Sequence, residues 1–155
     1  MKIQFKIITT TRTNILAYVK GLTIEQINFI PNNFNNSIGW QVAHLVVTQQ
    51  LLHYKLSGNP MLVNDSMVDN FRKGSSGKYL LTEKQWEEIT KLLESLPLQL
   101  IEDYKNDLFK VYNTYETSYN ATLTSIEDAI SFSNIHDALH FGTIMAMKKC
   151  LPHSS

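Results

Sequence analysis

The sequence predicts an all-α protein, a bundle of four long helices joined by two long crossover connections. Three observations carry this. Apolar residues recur at three- and four-residue spacing in four separate stretches. Four helix starts carry a capping residue, at Thr23, near Ser37, at Thr82 and at Thr124. The intervening segments collect the Gly, Pro, Asn and Ser that break helices. At 155 residues, with 43% hydrophobic and 18% charged residues, the chain has the size and composition of a single globular domain, 1–155.

Residues 4–20 set Phe5, Ile8, Ile15 and Val19 near one face of a first helix, and Gly21 is a stop signal. Its run of threonines, residues 9–11, works against helix by propensity. Thr23 and Gln26 form a capping box for a short helix that Pro31 ends. Residues 37–58 read as a long helix capped near Ser37 and stopped by Gly58. Residues 59–81 read as a long loop, docked through Met61, Leu62, Val63, Met67, Val68 and Phe71. Thr82 and Gln85 open a helix to about residue 106, with Trp86, Ile89, Leu93, Leu96 and Leu100 as its buried stripe. Pro97 is expected to kink or split it. Residues 107–123 are aromatic and partly alternating, so extended or irregular. The pattern Thr124 to Glu127 starts a last helix, running to about Cys150 and stopped by Pro152.

Composition excludes several functions. Fourteen cations balance 14 anions, and only Arg12 and Arg72 are arginines, so no nucleic-acid partner is expected. The single cysteine, Cys150, excludes an intrachain disulfide framework and a multi-cysteine zinc site. No apolar run is long enough to span a membrane, and residues 1–14 lack the features of a signal peptide. The glycosylation-like patterns at Asn35 and Asn120 are read as chance, and a soluble cytoplasmic protein is expected.

The histidines point to a site. His136 and His140, four apart on the last helix, share one face about a turn apart and are able to grip one ion. That face also carries Phe132, Leu139, Ile144 and Met147, with Ser133 and Thr143, and is expected to point inward. Buried imidazoles must be hydrogen-bonded or ligated. His44 shares a largely apolar face with Trp40, Gln41, Val47, Thr48 and Leu51. His53, nine residues on, falls half a turn away and is expected to face water. His153 follows Pro152 in the tail. Cys150 is no ligand candidate, being about 21 Å along the axis from His136. Each histidine alone suits a core hydrogen bond; His44, His136 and His140 together favour one divalent metal ion with open positions.

His136-Asp-Ala-Leu-His140 invites comparison with the H-E-x-x-H protease motif, but Asp137 stands for the catalytic Glu. Thr143 and Ala146 occupy the Gly and His places of the longer version, and no Glu follows Glu127. The third ligand is therefore sought upstream, where His44 fits.

The segments LTIEQINFIP, NSIGWQVAHLVVTQQLL, the GSSG loop, TEKQWEEI and HDALHFGTI resemble the DinB-like superfamily over nearly the whole chain. The resemblance implies an up-down-down-up four-helix bundle, commonly a homodimer, with zinc or nickel on three histidines. These map onto His44, His136 and His140. Gly142 takes the family's glycine position, read as a close helix approach, and Thr143 stands where many members have Gln. Relatives include metal-dependent thiol S-transferases of the bacillithiol and mycothiol type and a thiol-dependent maleylpyruvate isomerase. The expected function is a metal-dependent enzyme acting on a small-molecule thiol and an electrophile, or a hydrolase, with the metal as Lewis acid. The alternative is a non-catalytic stress-related or binding protein that keeps the bundle. Gln41, Thr48, Ser133 and Thr143 are read as core hydrogen-bonding groups near the metal face. Tyr112, Tyr115 and Tyr119 are read as crossover packing, with a pocket edge as the alternative.

Overall fold

The computed structural model describes residues 1–152, so His153 lies outside the described residues. Helix α1 spans Lys2–Val19, α2 Ile24–Asn28, α3 Ile38–Gln49, α4 Asp65–Phe71, α5 Glu83–Lys105 and α6 Ile126–Lys149. Helix α3 continues as a π-helical turn over Gln50–Lys55. Strands β1 (Tyr115–Glu116) and β2 (Thr122–Leu123) pair antiparallel as a small hairpin before α6. The protein is thus mainly α-helical, and no helix among the described residues is long and apolar enough to cross a membrane.

Local chemistry explains the helix starts. Thr23 and Thr82 make the capping boxes with Gln26 and Gln85, and Ser37 accepts the Trp40 N–H at 3.1 Å. Within α1 the Thr9 and Thr13 hydroxyls donate to the carbonyls of Phe5 and Thr9, one turn back, which satisfies these two side chains inside the helix. The last helix starts one residue later than the pattern suggests. Ser125 caps the Asp128 N–H at 3.1 Å, and the Asp128 carboxylate takes the Thr124 N–H and hydroxyl. Glu127 instead accepts the Tyr104 hydroxyl. Pro97 does not split α5, which runs unbroken through it with Leu93, Leu96, Pro97 and Leu100 buried. The long loop contains α4, whose N-cap Asn64 accepts the Met67 N–H at 2.8 Å.

The four long helices bury their apolar stripes together. Helix α1 packs on α5 and α6, and α3 packs on the same two helices. Side-chain bonds tie the pairs at several levels. Asn134 donates to the Gln4 carbonyl and Lys148 to the Tyr18 carbonyl between α6 and α1. Gln49 donates to the Leu96 carbonyl, and Tyr54 to Asp103, between α3 and α5. The core centres on α3, eleven of whose twelve residues are buried. Gly39 permits α2 to approach, because a Cβ there would stand 2.8 Å from both Ile27 Cγ2 and Leu81 Cδ1. Gly77, at φ +71°, lets the loop before α5 cross the Asn35 carbonyl, which a Cβ would meet at 2.6 Å.

Candidate metal centre

The three histidines meet. His44 from α3 and His136 and His140 from α6 bring ligand-capable nitrogens within 4.8 Å of one another. His44 is buried and the other two are partly buried. Their rings lie 4.3 to 5.2 Å apart between centroids. Burial pushes the His44 ring down to about 4, against the pull of the Phe71 carbonyl. Burial, with His136 beside it, pushes His140 down to about 3. Both are therefore neutral at pH 7, the form that ligates a metal.

Hydrogen bonds fix which nitrogen each ring offers. His44 Nδ1–H donates to the Phe71 carbonyl at 2.7 Å, so its Nε2 carries the lone pair. His140 Nδ1–H donates to Gln41 Oε1. Gln41 Nε2 donates in turn to Asn36 Oδ1 at 2.7 Å, which sets that amide's orientation. His140 therefore also presents a lone pair on Nε2, 3.1 Å from His136 Nε2. A proton between these two nitrogens would have to come from His136 Nε2. That would leave His136 Nδ1 as a bare acceptor, buried, unpartnered and 3.8 Å from Asp137 Oδ1. Two acceptors facing one another in the core are costly. A cation shared by the Nε2 atoms removes the conflict, because His136 then carries its proton on Nδ1, toward Asp137. The donor set therefore fits a divalent ion held by three imidazole nitrogens, each oriented by an acceptor on its far side.

The loop between α3 and α5 builds one wall of this centre. Helix α4 ends at Phe71, whose carbonyl orients His44. Trp40 stacks on the His44 ring at 4.6 Å, and its indole Nε1–H donates to Ser75 Oγ at 3.0 Å. Gln41 has the hydrogen-bonding role expected of it. Thr48 lies 3.3 Å from His44 Nε2.

Sequence reasoning missed the polar support behind the histidines. Arg12 lies on the buried stripe of α1 at 1% exposure, and its Nε–H donates to Asp137 Oδ2 at 2.8 Å. Its other nitrogens reach Gln49 Oε1 and the Leu45 carbonyl. Burial would raise the Asp137 carboxyl, but the Arg12 guanidinium and the neighbouring His136 together outweigh it and hold the group below the usual range. The available signal was spacing: Arg12 falls four residues after Ile8 and three before Ile15.

Four site expectations need correction. His53 does not face water; it is fully buried, with Nε2 3.0 Å from Ser133 Oγ. The π-helical turn widens the helix by one residue, rotating His53 back toward α6 by roughly 100°. Leu139 points outward at 46% exposure. Gly142 is exposed, and a Cβ there would meet nothing within 4 Å, so it mediates no close helix approach among the described residues. Thr143 spends its hydroxyl on the Leu139 carbonyl of its own helix.

A cleft of about 290 Å³ opens beside the histidines, lined at one part by His44, Thr48 and His136. Tyr115 and Tyr119 of the hairpin edge it, so the pocket alternative holds for these two. Tyr112 instead packs against Leu52, Leu123 and Ala129.

Comparison with known proteins agrees with this construction. No curated protein matches the chain. A family model described as the DinB superfamily matches residues 7–144. That span includes all three converging histidines and the helices that carry them, so the chain belongs to the DinB superfamily.

Proposed function

We propose that the protein is a metal-dependent enzyme whose zinc or nickel ion is held by His44, His136 and His140. The observation that carries this reading is the convergence of three imidazoles whose outward-facing nitrogens are already engaged or aimed at acceptors. When bound, the ion supplies Lewis acidity to a small-molecule thiol or a water, which suits thiol S-transfer or hydrolysis. The chain's own part is positioning. Phe71, Gln41 and Asp137 orient the rings, Trp40 covers His44, and the cleft admits a small molecule on the side of His44 and His136. Among the described residues no carboxylate lines that cleft, so none of them offers a side-chain general base of that kind. This favours a reaction that needs little beyond an activated nucleophile, and it is also the feature that keeps a non-catalytic binding role as the second reading.

The wider reading follows the family. One domain folds as an up-down-down-up bundle. Supporting this, residue numbers rise together between α1 and α6 (Gln4 with Asn134, Tyr18 with Lys148) and between α3 and α5 (Gln49 with Leu96, Tyr54 with Asp103). They run oppositely between α3 and α6 (His44 with His140, His53 with Ser133). The protein acts in the cytoplasm as a homodimer and without nucleic acid; sedimentation showing only monomer, or a tight salt-sensitive complex with duplex DNA, contradicts these points.

The deciding experiment is elemental analysis of untagged protein followed by turnover assays with a panel of thiols and electrophiles. About one equivalent of zinc or nickel, with metal-dependent turnover, is the expected result. Metal without turnover favours the binding role, and a metal-free protein that resists reconstitution rejects the enzyme reading.

A further inference from the structure

The charge of the cleft is unlike that of the protein. The chain as a whole is neutral, with 14 cations and 14 anions. Among the described residues, the charged side chains lining the cleft are Lys55, from the π-helical turn, and Lys73, two residues beyond Phe71. Neither forms an ion pair among the described residues; the ion-paired lysines there are Lys91, Lys105 and Lys110. Most of the remaining wall is apolar, with Leu52, Leu56 and Phe132 prominent. A divalent ion on the histidines would add to this positive field, since three neutral ligands cancel none of its charge.

From this we infer that the cleft selects a small organic carboxylate with an apolar body, and that Lys55 and Lys73 are its anion-recognising residues. The volume, about 290 Å³, is at the low end for small-molecule sites and matches the body of a small ligand. The apolar wall takes the body of the molecule, and the unpaired ammonium groups favour a negative charge near it. Among the described residues no helix N-terminus lines the cleft to cradle a phosphate, so the two lysines act as point charges toward the single charge of a carboxylate. The inference builds on the proposed metal centre for its function, but it rests on different side chains and is tested apart from it.

The test uses three probes of one shape: 4-phenylbutyrate, the neutral 4-phenylbutyramide and the cationic 4-phenylbutylamine. Each is titrated by calorimetry and by amide-shift mapping into zinc-loaded and chelator-treated protein at low and high salt. In chelator-treated protein the acid should bind about tenfold more tightly than the amide, and the amine most weakly. Each of Lys55→Gln and Lys73→Gln should reduce that preference roughly threefold, the size expected of exposed charges. The double variant should abolish it, and salt should weaken it in the parent. Shifts should centre on Leu52, Phe132 and Tyr119. Lack of binding by every probe, equal binding of acid and amide, or an acid preference that survives the double substitution overturns the inference. An acid preference that appears only with zinc and ignores both lysines also overturns it, because the carboxylate is then a simple metal ligand. Failure of the metal centre reads out separately, as absence of zinc from the parent protein while the lysine-dependent preference persists.

Discussion

Arg12 of α1 and Asp137 of α6 form an ion pair at 2.8 Å in which both side chains are almost completely buried, one residue away from a metal-ligand candidate. Removing charge from water is expensive, and the pair is sustained because Arg12 also binds Gln49 and the Leu45 carbonyl. The network therefore couples three helices behind His136. Asp137→Ala should destabilise the protein by about 3–5 kcal/mol, because it strands a buried guanidinium. The Arg12→Met, Asp137→Leu double variant should recover much of that loss. Asp137→Asn should keep the fold better while lowering metal affinity about 10- to 100-fold, since it weakens the acceptor facing His136. Denaturant unfolding and metal titration of the set measure the two effects, and a double variant no more stable than Asp137→Ala would refute the account.

His53 supplies a control for the metal site and a pH dependence of its own. It is buried beside Ser133 and is not among the three converging histidines. Variant His53→Gln should keep full metal content. Burial, opposed by the Ala129 carbonyl, pushes the ring down from 6.5 to about 4. The sign follows from linkage: between those values the unfolded chain binds a proton that the folded protein does not. Stability is thus complete above about pH 6.5 and falls as the pH drops toward 4, by about 3 kcal/mol from this residue. Denaturation midpoints measured from pH 7 to pH 4 should show a shallower acid slope in His53→Gln than in the parent. An unchanged slope would mean that His53 is already solvated in the native protein.

That same residue marks the boundary of what the sequence makes legible. Amphipathic period and capping chemistry locate the long helices because both are local. Ile8, Ile15 and Val19, and Ile89, Leu93, Leu96 and Leu100, are buried as their spacing requires. The metal-site candidates are legible for the same reason, since His136 and His140 are one turn apart on one helix. The phase of His53 is not, because a wheel assumes an uninterrupted 3.6-residue period and the π-helical turn breaks it. Arg12 is also hidden: a cation on an apolar stripe reads as a surface group until its partner, 125 residues away, is known. The roles of Phe71 and Ser75 depend on the loop's return to α3, and a backbone carbonyl leaves no trace in residue type.

The two glycines flanking the site regions should respond oppositely to the same change. Gly39→Ala places a methyl group 2.8 Å from Ile27 Cγ2 and Leu81 Cδ1, with the Ile27 carbonyl 3.2 Å away. Overpacking of this kind should cost about 1–3 kcal/mol. Gly142→Ala meets nothing within 4 Å in an exposed stretch of α6, so helix propensity should dominate and stabilise by about 0.5–1 kcal/mol. Thermal unfolding of the two variants decides the matter, and a destabilised Gly142→Ala would restore a packing role to that position.

The metal centre itself makes the sharpest claim. His44→Ala, His136→Ala and His140→Ala should each reduce bound zinc or nickel to a small fraction of the parent's, because three donors are the minimum that holds the ion while leaving a position open. Gln41→Leu should lower affinity less, about 10-fold or more, since His140 keeps its lone pair but loses the acceptor that orients its ring. The fold should survive in all four, because the apolar core around α3 is built from side chains other than these four. Chelation should accordingly lower the unfolding temperature without unfolding the protein at 25 °C, unlike a zinc finger, whose fold depends on its metal. Elemental analysis paired with circular dichroism tests both halves. Loss of helix on chelation would make the ion structural. Full metal content in His44→Ala would show that α6 binds the ion without α3, and the three-histidine assignment would have to be abandoned.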